Sequence, residues 1–362
     1  MQKLTIKLHT PMEDDRPVYI TGNFNNWAPA DPSWRMHQDD ARNFSFTFDN
    51  IEGLPDEIEY KFTRGSWNDV ELDDYGNEPP HNRMISRYER CAEDEIRNWR
   101  RDGKFHNDRF LPVINIISEQ FEIPQLIKTR RITALLPWNY YETDKHFPVI
   151  YLQDGQNLFD DFAPFGSWGL AKRLAFLAER GKAEFIVIAI DHAESERIAE
   201  FTPTLPTSVL GSGDGEKYAR FMAETLKPYI DSHYRTRPER EFTGIGGSSM
   251  GGLISIYAAM LHPEKYSRLM LFSPSFWVTP NLPIRFIDEV PQFEGRIYIY
   301  GGGRESEMLV GRLQAFYDKI NTVNHERNLQ VRLSINPMGR HSELEWGREF
   351  PMAAEWLFDF EE

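Results

Sequence analysis

The sequence predicts an α/β fold, a mostly parallel sheet flanked by helices, preceded by a small immunoglobulin-like β-sandwich. Three observations predict it. Phe185–Asp191 is an almost unbroken apolar run, the pattern of a parallel strand buried on both faces. Gly247-Ser248-Ser249-Met250-Gly251 sits between a strand-like run, residues 240–246, and a helix-like run, Leu253–Met260. The first hundred residues instead show short alternating runs separated by turn residues, with no long apolar helix among them.

Taken in order, Val18–Thr21, Phe44–Phe48 and Ile58–Thr63 are the sandwich strands. The charged stretch Cys91–Lys104 reads as a junction, so the expected domains are residues 1–104 and 105–362. In the second domain Phe147–Gln153 is a strand followed by the loop Asp154–Phe159. Arg296–Tyr300 is strongly β-forming and leads into Gly301–Glu307. Leu329–Ile335 is a last strand, running into a glycine-containing loop that holds His341.

The turn at Ser249 carries the chemistry. A nucleophile elbow needs small residues around a serine that stands between strand and helix, with the helix N-terminus beneath it to favour developing negative charge. Ser249 fits and Ser248 does not, because counting from Ser248 puts Met250 where the last glycine must be. A serine hydroxyl is a weak nucleophile and needs a base with a third group to orient it. In the order serine, acid, histidine, His325 and His341 are the histidines that follow every candidate acid. His341 is on the strand-end loop, whereas His325 lies in a polar run and reads as solvated. Glu305 is the first acid after the preceding strand, with Glu307 as its rival and Asp288 more distant; spacing alone does not choose between them. Two backbone N–H groups, those of Met250 and Gln156, would form the oxyanion hole. Gly155 would let the chain turn sharply enough to aim the second.

Composition removes several function classes. The chain has 362 residues, 40% of them hydrophobic, enough for two cores. A net charge of −15 opposes a broad nucleic-acid surface, and a single cysteine excludes an internal disulfide framework. No run is long enough to span a membrane and no signal-like segment opens the sequence, so a cytoplasmic protein is expected. No cofactor or metal is expected: there is no HExxH, His81, His106 and His192 stand apart, and Asp73–Asn77 has the character of a turn rather than a calcium loop.

The ordered pieces Arg130–Pro137, Tyr151–Phe159, Phe165-Gly166-Ser167-Trp168, the elbow and Gly339-Arg340-His341 resemble the putative esterase family of α/β-hydrolases. That family includes enterochelin, feruloyl and acetylxylan esterases, S-formylglutathione hydrolase and mycolyltransferases. The resemblance covers roughly residues 115 to 362. It implies ester hydrolysis through an acyl-serine, with Ser249, Glu305 and His341 as triad and Met250 and Gln156 as oxyanion donors. Gln153 stands where the family usually has histidine. Asp154, Trp168 and Arg197 become candidates for the substrate face, although Arg197 could instead brace the loop by pairing with Glu200.

In the first domain, Gly22–Trp27, Tyr60–Trp67, Gly76-Asn77 and Asn82-Arg83 resemble starch- and glycogen-binding modules. The resemblance implies a glucan contact through Trp27, Lys61, Trp67 and Asn82; the competing expectation is that these tryptophans pack the sandwich or wall the active site. The leading functional expectation is a serine carboxylic ester hydrolase acting on a small or carbohydrate-linked ester. Acyl transfer to a sugar alcohol and a non-catalytic glucan-binding protein with a vestigial hydrolase domain are the alternatives.

Overall fold

The computed structural model describes residues 3–11, 14–160, 162–163, 165–182, 184–204, 213–323 and 328–358. His325 lies outside the described residues. The chain forms two compact units, Met1–Asn107 and Asp108–Glu362.

In the first unit, strands Leu4–His9, His37–Gln38, Asn43–Phe48 and Cys91–Glu95 make one sheet, and Tyr19–Gly22, Glu57–Thr63 and Arg83–Ser86 make another. The period-2 alternation decides which side chains are inside: Leu4, Ile6 and Leu8 are buried while Lys7 and His9 are exposed. Phe44 and Phe48 join them from one sheet, and Ile20, Ile58, Tyr60, Phe62 and Ile85 from the other, in one shared apolar core. This is the small β-sandwich that the alternating runs predict.

The second unit is an eight-stranded sheet. Its strands are β1 (Val113–Ile123), β2 (Lys128–Leu136), β3 (Val149–Gln153), β4 (Ile186–Ile190), β5 (Thr243–Ser248), β6 (Arg268–Phe272), β7 (Gly295–Gly302) and β8 (Leu329–Asn336). Their order is β1-β2-β4-β3-β5-β6-β7-β8. β1 pairs antiparallel with β2 and β2 with β4, while every pairing from β4 onward is parallel. All five residues of β3 and of β4 are buried, as strands covered on both faces require. Helices α1 (Leu170–Ala178), α2 (Met250–Leu261), α3 (Leu309–Val323) and α4 (Glu343–Phe358) are among those that flank the sheet. This is the α/β-hydrolase architecture.

One boundary differs from expectation. Residues 240–246 were expected as a strand, but Arg240–Phe242 is a 3-10 turn and β5 begins at Thr243. The Arg240 guanidinium is tied to the carbonyls of Pro263 and Glu294, which holds this stretch out of the ladder. Because β5 and its neighbours are parallel, their C-terminal ends lie on one edge of the sheet, where the loops after β3, β4, β5, β6, β7 and β8 emerge. Among the described residues, no helix is long and apolar enough to cross a membrane.

Candidate active site

Ser248 is the last residue of β5, buried and paired with Phe272, and α2 starts at Met250. Ser249 makes the corner alone, with φ 57° and ψ −120°. An L-residue held in such a region costs about 1–3 kcal/mol and persists only where the surroundings over-determine it. Here they do: the Ser249 N–H donates to Phe272 O at 2.9 Å, and the Ser275 N–H donates to Ser249 O at 3.0 Å. The flanking glycines are required by space. A Cβ on Gly247 would lie 3.0 Å from the carbonyl carbon of Gly251 and from Gln153 Cβ. One on Gly251 would lie 3.0 Å from Gln153 Cβ and Asp154 Oδ2. Ser249 is partly exposed, and its Oγ lies 3.2 Å from Ser275 Oγ.

Glu305 and His341 follow β7 and β8 and meet, with His341 Nδ1 at 2.5 Å from Glu305 Oε2. A carboxylate is an acceptor, so Nδ1 carries a proton, and in the neutral imidazole Nε2 keeps its lone pair. The Glu305 side chain is only 3% exposed, against 48% for His341. Its burial is offset by two further donors on Oε1, the Ser273 hydroxyl at 2.6 Å and the Gly302 N–H at 2.7 Å. Trp346, buried in the first turns of α4, sets its indole edge-on to the imidazole at 4.8 Å between centroids. Its Nε1–H donates to Ser273 Oγ at 3.0 Å, which closes a chain from tryptophan through serine and glutamate to histidine. By contrast Glu307 is exposed, and Asp288, on the helix Leu282–Glu289, lies 3.8 Å from Lys319. Among the described residues no hydrogen bond joins Ser249 Oγ to His341; the hydroxyl is turned to Ser275 instead.

Sequence reasoning missed Ser273 and Ser275. Both lie on the loop after β6, and Ser273 has φ 43°, a left-handed conformation held by its N–H to Tyr300 O at 2.7 Å. The available signal was the small-residue run Ser273-Pro274-Ser275 directly after a strand, which is too common to single out.

The loop after β3 turns where expected. Asp154 is left-handed, and a Cβ on Gly155 would come within 2.5 Å of Asp191 Oδ1. The Gln156 side chain is spent on fixing the next loop: its Oε1 accepts from the His192 N–H at 2.9 Å and its Nε2 donates to His192 O at 3.1 Å. Met250 is the first residue of α2, so its N–H has no acceptor within the helix. Gln153 is buried, taking the Tyr218 hydroxyl at 2.6 Å.

The three residues expected at the substrate face have other occupations. Trp168 is 3% exposed and stacks on Phe272, so its ring is part of the core rather than a wall of open space. Asp154 is buried and clasped by Arg197 through two bonds of 2.5 and 2.8 Å. Burial works against the Arg197 charge, but the Asp154 carboxylate outweighs it and holds the guanidinium above its ordinary range. Arg197 therefore does not pair with Glu200, which is fully buried and bonded to Lys128 at 2.9 Å and Arg130 at 2.7 Å. Two titratable groups nearby are shifted by burial, the His192 imidazole downward and the half-buried Glu343 carboxyl upward. Among the described residues no three His, Cys, Asp or Glu side chains gather to hold a metal ion.

In the first unit, Trp27 follows strand Tyr19–Gly22 and Trp67 follows strand Glu57–Thr63. Their ring centroids are 6.5 Å apart with 40° between planes, and Trp67 is 40% exposed. Lys61 sits opposite Thr21 on the same sheet, and Asn82, just before strand Arg83–Ser86, donates to Glu59 Oε2 at 2.8 Å.

Comparison with known proteins places this geometry in context. The family model described as "Putative esterase" matches residues 124–357. The chain is 25% identical over 240 residues to the uncharacterized protein YbbA of Bacillus subtilis, covering 63% of this chain and 92% of that protein. It is 27% identical over 185 residues to the siderophore triacetylfusarinine C esterase of Aspergillus fumigatus, covering 47% of this chain and 60% of that enzyme. In structure it resembles the enterobactin esterase FES from Shigella flexneri, with a TM-score of 0.54 at 15% identity over 99% of this chain and 93% of that one, a likeness of fold.

Proposed function

The chain belongs to the Putative esterase family and is a carboxylic ester hydrolase; from that premise we propose that it works through an acyl-serine on Ser249. In this reading Ser249 Oγ attacks the ester carbonyl while His341 Nε2 takes its proton. The Met250 and Gln156 N–H groups receive the oxyanion, and the protonated histidine then hands its proton to the departing alcohol. Water, activated by the same nitrogen, releases the acid. Glu305 holds the Nδ1–H and offsets the imidazolium charge. The observation that carries the reading is the strained Ser249 corner, on the same sheet edge as a histidine already bonded to a buried carboxylate. For the first step the Ser249 hydroxyl must turn from Ser275 toward the imidazole; such contacts commonly tighten only when substrate binds.

For the substrate we favour a small or carbohydrate-linked ester, and the name of the Aspergillus fumigatus relative puts siderophore esters in that set. The test is a fluorophosphonate label mapped by peptide mass, together with turnover of para-nitrophenyl esters, feruloyl and acetyl sugars and a catecholate siderophore. Labelling at Ser249 and loss of both label and turnover in Ser249→Ala are expected. Turnover that survives in Ser249→Ala and disappears in Ser248→Ala would remove the assignment.

For the first unit we propose a glucan-binding role, supported by the Trp27 and Trp67 pair with Trp67 exposed. Exposed indole faces stack on sugar rings. Glycogen co-sedimentation should retain the wild-type chain and lose Trp67→Ala; equal retention of both, or none by wild type, would count against it.

A further inference from the structure

Resting on the hydrolase reading above, we propose that Arg304 and Arg340 form a subsite for an anionic group carried by the ester substrate, a carboxylate or a phosphate. Each stands one residue before a member of the Glu305 and His341 pair. The two loops that carry them are locked main chain to main chain. Gly303 N–H donates to Asn336 O at 2.8 Å and Arg304 N–H to Gly339 O at 3.0 Å, and a Cβ on Gly302 would be 2.4 Å from Gly339 O. The arginines are thus backbone neighbours beside the histidine, and both are exposed.

What sets them apart is that they are unpaired. Among the described residues from 108 to 358, the other lysine and arginine side chains each have a hydrogen bond, an ion pair or a ring contact, down to Arg312 on Met308 Sδ and Arg332 over the Tyr298 ring. Arg304 and Arg340 have none. Carboxylates are at hand: Glu307 is three residues from Arg304 and exposed, and Glu343 is three residues from Arg340 and half-buried. Neither bonds to them. In a chain of net charge −15, two exposed guanidinium groups without a partner among the described residues, on the loops that carry Glu305 and His341, oppose the general field at that point. The planar fork of donors matches a carboxylate or phosphate with two parallel bonds, which water and the chloride ion do not reproduce. Exposed Met308 and Met338 on the same two loops add apolar surface, so the favoured group is an acid attached to a hydrocarbon or aryl body rather than a free ion.

The experiment compares matched esters that differ by one negative charge. On the acyl side these are the para-nitrophenyl monoester of adipate against para-nitrophenyl hexanoate, and on the alcohol side meta-acetoxybenzoate against phenyl acetate. Wild-type protein should favour the charged member of at least one pair in kcat/KM by about tenfold at low ionic strength, the scale of two exposed charge pairs. The ratio should fall toward one in Arg304→Gln/Arg340→Gln and as sodium chloride is added. Equal rates on both pairs, or a preference that the double variant keeps, would overturn the subsite. Binding of adipate dianion is measured in parallel by calorimetry on wild type and double variant. If no ester is turned over, the hydrolase reading fails by itself; adipate binding that the double variant loses then supports the anion site, and no binding overturns it.

Discussion

Replacing Ser273 with alanine tests whether the polar chain behind His341 is needed. The Ser273 hydroxyl donates to Glu305 Oε1 at 2.6 Å and accepts from Trp346 Nε1 at 3.0 Å. Ser273 is 2% exposed, so water does not readily replace it. A hydrogen bond to a charged acceptor contributes about 1.5–3 kcal/mol, and an orphaned buried N–H costs about 1–3 kcal/mol. The two losses overlap, so about 2–4 kcal/mol of stability should go, read from the urea midpoint at constant slope. If a third to a half of that is felt at the Glu305 and His341 contact, kcat/KM should drop about tenfold, since 1.4 kcal/mol is one decade. Ser273→Gly separates hydroxyl from backbone: it loses the same bonds but relaxes the left-handed φ of 43° and should be the more stable of the two. A Ser273→Ala protein within about 0.5 kcal/mol of wild type and equally active would refute the coupling, because a surface substitution does no more than that.

Other outcomes follow from the same contacts. Glu305→Gln should slow ester turnover by more than tenfold and Glu307→Gln by less than twofold, because one carboxylate holds the imidazole and the other is exposed; the reverse ranking would move the acid. Arg197→Ala should destabilise by about 3–5 kcal/mol by leaving the buried Asp154 carboxylate unpaired, and Asp154→Asn in the same chain should recover part of it in urea melts. Gly251→Ala places a Cβ 3.0 Å from Gln153 Cβ and should cost about 1–3 kcal/mol by overpacking, with a matching fall in Tm. Burial holds the His262 imidazole below its ordinary value of 6.5. The unfolded chain therefore binds a proton near pH 6.5 that the native chain still refuses. This contribution to stability is complete above that pH and is lost as pH falls toward the folded value. His262→Gln should flatten the decline in urea stability between about pH 7 and pH 5.5.

Much of the fold was legible because its signals are local. Unbroken apolar runs such as Ile186–Ile190 and alternating ones such as Ile58–Thr63 differ in period, and period follows directly from whether one face or both are covered. The Ser249 corner was legible for the same reason: strand, serine and helix are contiguous in the chain, and small residues flank the turn at 247 and 251, although the space those glycines leave is filled by Gln153 and Asp154 from a neighbouring strand and its loop. The acid was not decided by sequence. Glu305 and Glu307 share one loop, and what separates them is the Ser273 hydroxyl, the Gly302 N–H and the His341 ring converging on the first of them.

What only tertiary structure decided is which polar groups are already spoken for. By sequence Arg197 could brace the loop through Glu200 or face substrate, yet Glu200 is taken by Lys128 and Arg130, 72 and 70 residues away, and Arg197 is held instead by Asp154, 43 residues away on another strand's loop. Trp168 sits in a family-like motif but is filled in behind by Phe272 and α4. Ser273 and Ser275 carry only a common small-residue run after a strand as their signal in the chain, and gain their places because β6 lies between β5 and β7. Sequence by itself determined periods and turns, which depend on neighbours along the chain. Charge pairing and hydrogen bonding across the sheet's edge depend on neighbours in space, and a parallel sheet brings those together from loops that its helices keep far apart in sequence.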